Sequence, residues 1–119
     1  MKSHVTGLIS VAMLVSLLFS SARADDSRIV QIIEKDILYN PSSITVHLNQ
    51  KLRIKNDDPF FHKSRISVLD NDNKEGEVVM PAKKEEAHTQ QDFKFSMPGH
   101  YKIRCMVHDG MTAVINVVN

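Results

Sequence analysis

Close to the C-terminus, Cys105-Met106-Val107-His108-Asp109-Gly110-Met111 puts a thiol, an imidazole and a thioether into one short segment, spaced C-x2-H-x2-M. A cysteine binds metal as the thiolate; soft sulfur ligands suit Cu(I), while imidazole suits copper more generally. One Cys and two His in a trigonal set, with a weak and long axial Met, make the ligand set of a blue-copper electron-transfer site. The segment offers Cys105, His108 and Met111, so a second imidazole has to come from elsewhere in the chain. His62 is well placed: it follows Asn56-Asp57-Asp58-Pro59-Phe60-Phe61, whose two aromatics offer a dry wall that would tune a metal beside them. Zinc fits less well, because its structural sites close with Cys and His and Met is a poor ligand for it.

The other soft or basic side chains read differently. His47 takes an outward position in an alternating run, and His88 and His100 lie in turn or edge contexts, so all three read as surface residues. Met80, Met97 and Met106 read as packing residues. No Ser/His/Asp set, phosphate-binding loop or paired-carboxylate pocket stands out, and no ligands for a second metal are apparent. The chain is expected not to be an enzyme.

Cysteine usage points the same way. The first residues have the form of a secretory signal: Lys2 and His4 in a short polar start, an apolar run from Leu8 to Phe19, and Ala22-Arg23-Ala24 as a small-x-small cleavage pattern. The run is too short to span a bilayer and serine interrupts it, so residues 1–24 are expected to leave and residues 25–119 to form one exported, periplasmic domain with no stable membrane insertion. Exported proteins usually use cysteine in disulfides, yet this chain has a single Cys. A lone exported thiol calls for another explanation, and its neighbours favour a metal. Of 15 Lys and Arg, Lys2 and Arg23 go with the signal, leaving 13 against 14 Asp and Glu. A near-neutral domain offers no broad field for nucleic acid.

The elements that must position the donors are short and β-like. Ile29 to Glu34 is apolar and β-branched. Ile44-Thr45-Val46-His47-Leu48, Leu52-Arg53-Ile54-Lys55, Ile66-Ser67-Val68, Phe93-Lys94-Phe95 and Tyr101-Lys102-Ile103-Arg104-Cys105 all alternate, and Ala113 to Val118 closes the chain. Asn49-Gln50 and Met97-Pro98-Gly99 read as connections. Asn40-Pro41, Asp58-Pro59, Asp70-Asn71-Asp72-Asn73 and Met80-Pro81 mark turns. Period-two alternation at this spacing predicts an all-β antiparallel sandwich with one buried and one wet face per sheet. Only Lys83 to Ala87 could form a helical turn, and Lys83-Lys84-Glu85-Glu86 reads as a solvated loop. If Tyr101, Ile103 and Cys105 share an inward face, the sulfur points into the sandwich from the end of a strand.

Residues 37 to 118 resemble the cupredoxins, the small blue-copper proteins, and among them the amicyanin, plastocyanin and pseudoazurin group. The resemblance rests on the C-x2-H-x2-M loop, on Tyr39-Asn40-Pro41 leading into Ile44-Thr45-Val46, on Asn56 ahead of the first His, and on Pro98-Gly99-His100-Tyr101-Lys102-Ile103-Arg104-Cys105. It implies a Greek-key β-sandwich holding one type 1 copper ion on His62, Cys105, His108 and Met111. It also implies a monomeric carrier of single electrons that meets cytochrome- or dehydrogenase-type partners transiently. Three positions depart from the pattern: Lys63 where an Asn commonly ties the two ligand loops together, Met106 where Ser or Thr often follows the Cys, and Asp109-Gly110 where a Pro is common. Lys63 and the Gly-containing loop suggest a more mobile site and keep a second reading open, a copper-binding protein for delivery, storage or resistance.

Overall fold

The structure is a computed structural model that describes residues 28–119; the signal read over residues 1–24 lies outside the described residues. Nine strands follow in order: β1 (Ile29–Lys35), β2 (Leu38–Asn40), β3 (Ser43–His47), β4 (Lys51–Asn56), β5 (His62–Leu69), β6 (Glu75–Glu85), β7 (Gln90–Lys94), β8 (Gly99–Cys105) and β9 (Thr112–Val118). They form a four-stranded sheet in the order β2-β1-β4-β7 and a five-stranded sheet in the order β3-β9-β8-β5-β6. The inward residues of both sheets, among them Ile32, Val46, Leu52, Ile54, Ile66, Ile103 and Ile115, make one core in which all seven are fully buried.

The expected sandwich is present, but its sheets are mixed. β1 runs parallel to β4, and β3 parallel to β9. The reason lies in the connections. The stretches after β3 and β7, read above as simple links between neighbours, carry the chain from one sheet to the other. Strands joined across the sandwich do not pair, and a later strand arrives beside an earlier one in the same direction.

One further element departs from the sequence reading. β6 runs straight through Met80-Pro81 and takes in Lys83, Lys84 and Glu85, so that stretch is neither a helical turn nor a solvated loop. The proline is tolerated because β6 is an edge strand, where a missing N–H need not break a ladder. Its pairing with β5 is irregular between Ser64 and Leu69. The extra residues lie in β6, and β5 keeps its phase: Ser64, Ile66 and Val68 stand opposite Cys105, Ile103 and Tyr101 of β8. The alternation read at Ile66-Ser67-Val68 is present: Ile66 and Val68 pack on the core, and Ser67 stands opposite the outward Lys102.

Candidate metal centre

The site is built where β5 begins and β8 ends. These strands are antiparallel neighbours, with Ser64 opposite Cys105, so His62 at the start of one and Cys105 at the end of the other meet at the same end of the sandwich. Tyr101, Ile103 and Cys105 share the inward face as expected, and Cys105 is 3% exposed. The chain then turns through residues 106–111 into β9. The Cys105 N–H donates to the Met111 carbonyl at 3.0 Å and the Met111 N–H to the His108 carbonyl at 3.3 Å, which closes the loop around its own donors. Met111 is buried at 1% exposure, and His108 is half-buried.

The side chains converge. Cys105 Sγ lies 3.7 Å from His62 Nδ1 and 3.5 Å from His108 Nδ1, and the two Nδ1 atoms are 3.2 Å apart. Among the described residues, these three are the one group of His, Cys or acidic side chains whose donor atoms cluster this way, all within 4.8 Å. His47, His88 and His100 stay outside it and are exposed. Phe60 packs edge-on to His62 at 5.4 Å and tilted against His108 at 5.8 Å, so it forms the wall expected of the aromatic pair. Phe61 does not; its ring carries the Lys84 ammonium at 4.4 Å.

Behind His62 lies a residue that sequence reasoning placed only in a turn. Asp58 Oδ2 is 2.7 Å from His62 Nε2, in a fully buried contact. The same carboxylate accepts the Asp36 N–H at 2.7 Å and the Ile37 N–H at 3.0 Å. Burial alone would push the Asp58 carboxyl up; the bonds from the Ile37 N–H, His62 and the Asp36 N–H outweigh it and hold it below its ordinary value. With Asp58 an acceptor, His62 carries its proton on Nε2 and turns the Nδ1 lone pair toward Cys105. Asp36 and Ile37 form the two-residue turn between β1 and β2 and both have positive φ, 55° and 61°. That conformation is unfavourable for a β-branched residue, and Asp58 ties down both of its N–H groups. Asn56 in turn accepts the Asp58 N–H at 2.9 Å and donates to the carbonyls of Phe60, Glu85 and Glu86.

The tie that an Asn after the first His would supply is made by backbone: Met106 N–H donates to the Lys63 carbonyl at 2.7 Å, while the Lys63 side chain is exposed. Deeper in, Glu34, Tyr39, Ser64 and Glu85 form a buried polar group next to Cys105. The sequence carried one signal for it, a charged Glu34 in phase with the inward Ile32. Glu85, hidden in a run of charges, carried none.

A family model for the cupredoxin-like domain matches residues 7–117. No curated protein sequence matches the chain with significance. Among solved structures, a reduced Cu(I) form of an amicyanin variant at pH 4 aligns with a TM-score of 0.61 at 13% identity, covering 75% of this chain and 81% of that one. A purple cupredoxin from Nitrosopumilus maritimus aligns at 0.60 and 20% identity, covering 73% and 97%. A Cu-containing nitrite reductase from Thermus scotoductus SA-01 aligns at 0.61 and 18% identity over 76% of this chain but 22% of its own. At these identities the structures speak for the fold. The family model spans nearly the whole chain, and the chain belongs to the cupredoxin-like domain family.

Proposed function

We propose that this protein is an exported, periplasmic type 1 copper protein that carries single electrons between redox partners. The observation that supports the reading most is the convergence of His62 Nδ1, Cys105 Sγ and His108 Nδ1 at one end of the sandwich, with Met111 buried in the same loop. Two imidazoles, a thiolate and a thioether fit copper better than zinc, magnesium or calcium by ligand softness. Bound there, copper supplies a one-electron Cu(II)/Cu(I) couple. Cys105 would hold the ion as a thiolate, His62 as the imidazole that Asp58 keeps in place, and Met111 as a weak thioether donor. His108 is the half-buried imidazole through which electrons reach the surface. Phe60, Met106 and Val107 are each 40–43% exposed and lie around it in sequence or contact. They form an apolar rim suited to a brief encounter with another redox protein, of the small size such contacts have, under ~1,200 Å².

Loading the purified protein with Cu(II) tests this. An intense visible band that bleaches on reduction, returns on reoxidation and is absent from Cys105→Ser is expected. Colour that persists in Cys105→Ser would place the metal elsewhere. A protein that binds Cu(I) tightly and stays colourless through the cycle would be a copper carrier for delivery or storage.

A further inference from the structure

We infer that Glu34 is a buried, uncharged carboxylic acid that positions Ser64 beside Cys105 and so holds the two ligand-bearing strands β5 and β8 in place. Glu34 and Ser64 are 0% exposed, Tyr39 2% and Glu85 3%. Ser64 Oγ lies 2.6 Å from the Tyr39 hydroxyl, 2.9 Å from Glu34 Oε2 and 2.9 Å from Glu85 Oε1. Gln91 Nε2 donates to the far oxygen of Glu85. The group draws Glu34 from β1, Tyr39 from β2 and Gln91 from β7 in one sheet, and Ser64 from β5 and Glu85 from β6 in the other. It therefore joins the two sheets at the end that bears the site.

Counting protons assigns the charge. Tyr39 and Ser64 bring one hydroxyl proton each. Tyr39 donates to Ser64, and Ser64 can donate to one carboxyl. The contact between Ser64 and the other carboxyl then lacks a proton. One acid proton completes the set. It belongs on Glu34, because Glu85 already accepts from Gln91, whereas Glu34 Oε1 has no donor of its own. A buried carboxylate oxygen without a donor is costly. The groups acting on Glu34 agree with this. Burial comes first, then the hydrogen bond to Glu85 and its negative charge, and together they push Glu34 up to about 9, against an opposing bond from Ser64; Asp58 adds to the upward push.

The link to the site is short. Ser64 is the ladder partner of Cys105, and His62 is two residues before it on the same inward face. The Tyr39 hydroxyl meets Ser64 at 2.6 Å, so the group reaches the residue that stands opposite the sulfur. A Ser64 side chain fixed from three sides fixes the start of β5, and with it the approach of His62 to the sulfur. Glu34 acts through Ser64 and touches no ligand, which makes it a positioning residue.

The inference rests on the copper reading for one of its three readouts only. Infrared spectra of the metal-free full chain at pH 7 should contain the carbonyl stretch of a protonated carboxylic acid, and Glu34→Gln should lose it. A wild type without that stretch, or a variant that keeps it, overturns the assignment. In metal-free protein the His62 ring resonances should shift in Glu34→Leu and in Ser64→Ala but hold in Glu34→Gln, which keeps a neutral hydrogen-bonding group of the same shape. In copper-loaded protein the visible band and potential should follow the same order. Unchanged ring resonances in Ser64→Ala, or a shift in Glu34→Gln as large as in Glu34→Leu, would overturn the positioning role; Ser64→Ala decides the matter if Glu34→Leu does not fold. A wild type that never binds copper would end the proposed function while leaving the infrared and ring-resonance arms to decide this one.

Discussion

Replacing Glu34 by Gln should make the protein more resistant to alkaline pH, and the size of the effect follows from its surroundings. Burial, the bond to Glu85 and the Glu85 charge raise the Glu34 carboxyl from 4.5 to about 9. The sign follows from proton counting: between these values the unfolded chain has released the proton and the folded chain keeps it. Folding then takes up one proton, so the contribution of Glu34 to stability is fully present below pH 4.5 and is lost as pH rises, until Glu34 also ionises in the folded state near pH 9. In that window the slope is about 1.4 kcal/mol per pH unit, and from pH 6 to pH 8 the wild type loses roughly 3 kcal/mol through this group. The amide introduced by Glu34→Gln has no proton to release in either state and removes the term. Urea unfolding of both metal-free proteins at the two pH values measures it as a double difference, in which a constant cost of the amide and every other titrating group common to both cancel. With m of about 2 kcal/mol/M for a small domain, the urea midpoint of the wild type should fall by roughly 1 to 2 M more than that of Glu34→Gln. Equal falls in the two proteins would mean that Glu34 is ionised in the folded state, and the proton count among Tyr39, Ser64, Glu34 and Glu85 would be refuted.

His62→Gly should abolish the visible band of the copper-loaded protein, with added imidazole restoring it, whereas His47→Gly, His88→Gly and His100→Gly should leave it intact; loss of the band in one of those three with His62→Gly unaffected would reassign the imidazole. Asp58→Asn should weaken copper binding about 10–100-fold, the range for the second partner of a metal-bound imidazole, because an amide nitrogen would face a group that already donates; competitive titration measures it, and unchanged affinity would show that His62 orients itself. Lys63→Asn should change the potential and the self-exchange rate little, because Met106 N–H to the Lys63 carbonyl already joins the two loops; voltammetry and line-broadening measure both, and a large acceleration would show that the side-chain tie had been missing.

What could be read from the chain, and what could not, divides by the range of the signal. The donors Cys105, His108 and Met111 are neighbours in sequence, so their spacing reports their chemistry directly. Tyr101, Ile103 and Cys105 alternate on an unbroken strand, so their shared inward face was legible as well. His62, 43 positions before Cys105, was reachable because three donors asked for one more nitrogen. Asp58 was invisible because its sequence context is that of a turn. Only the fold shows that its carboxylate meets His62 on one side and the Asp36-Ile37 turn on the other. Glu85 was misread for a stronger reason: a glutamate among lysines on a strand edge looks solvated, and the irregular pairing of β5 with β6 is what turns it inward beside Ser64. Burying Glu34 and Glu85 together is unfavourable on grounds of charge and is made tolerable by one retained proton. Polar residues whose cost is offset by a distant partner carry no local pattern, and here they stand directly behind the ligands. The cluster of His62, Cys105 and His108 could therefore be read from the chain, but the reason His62 and Cys105 hold their positions could be found only from the folded chain.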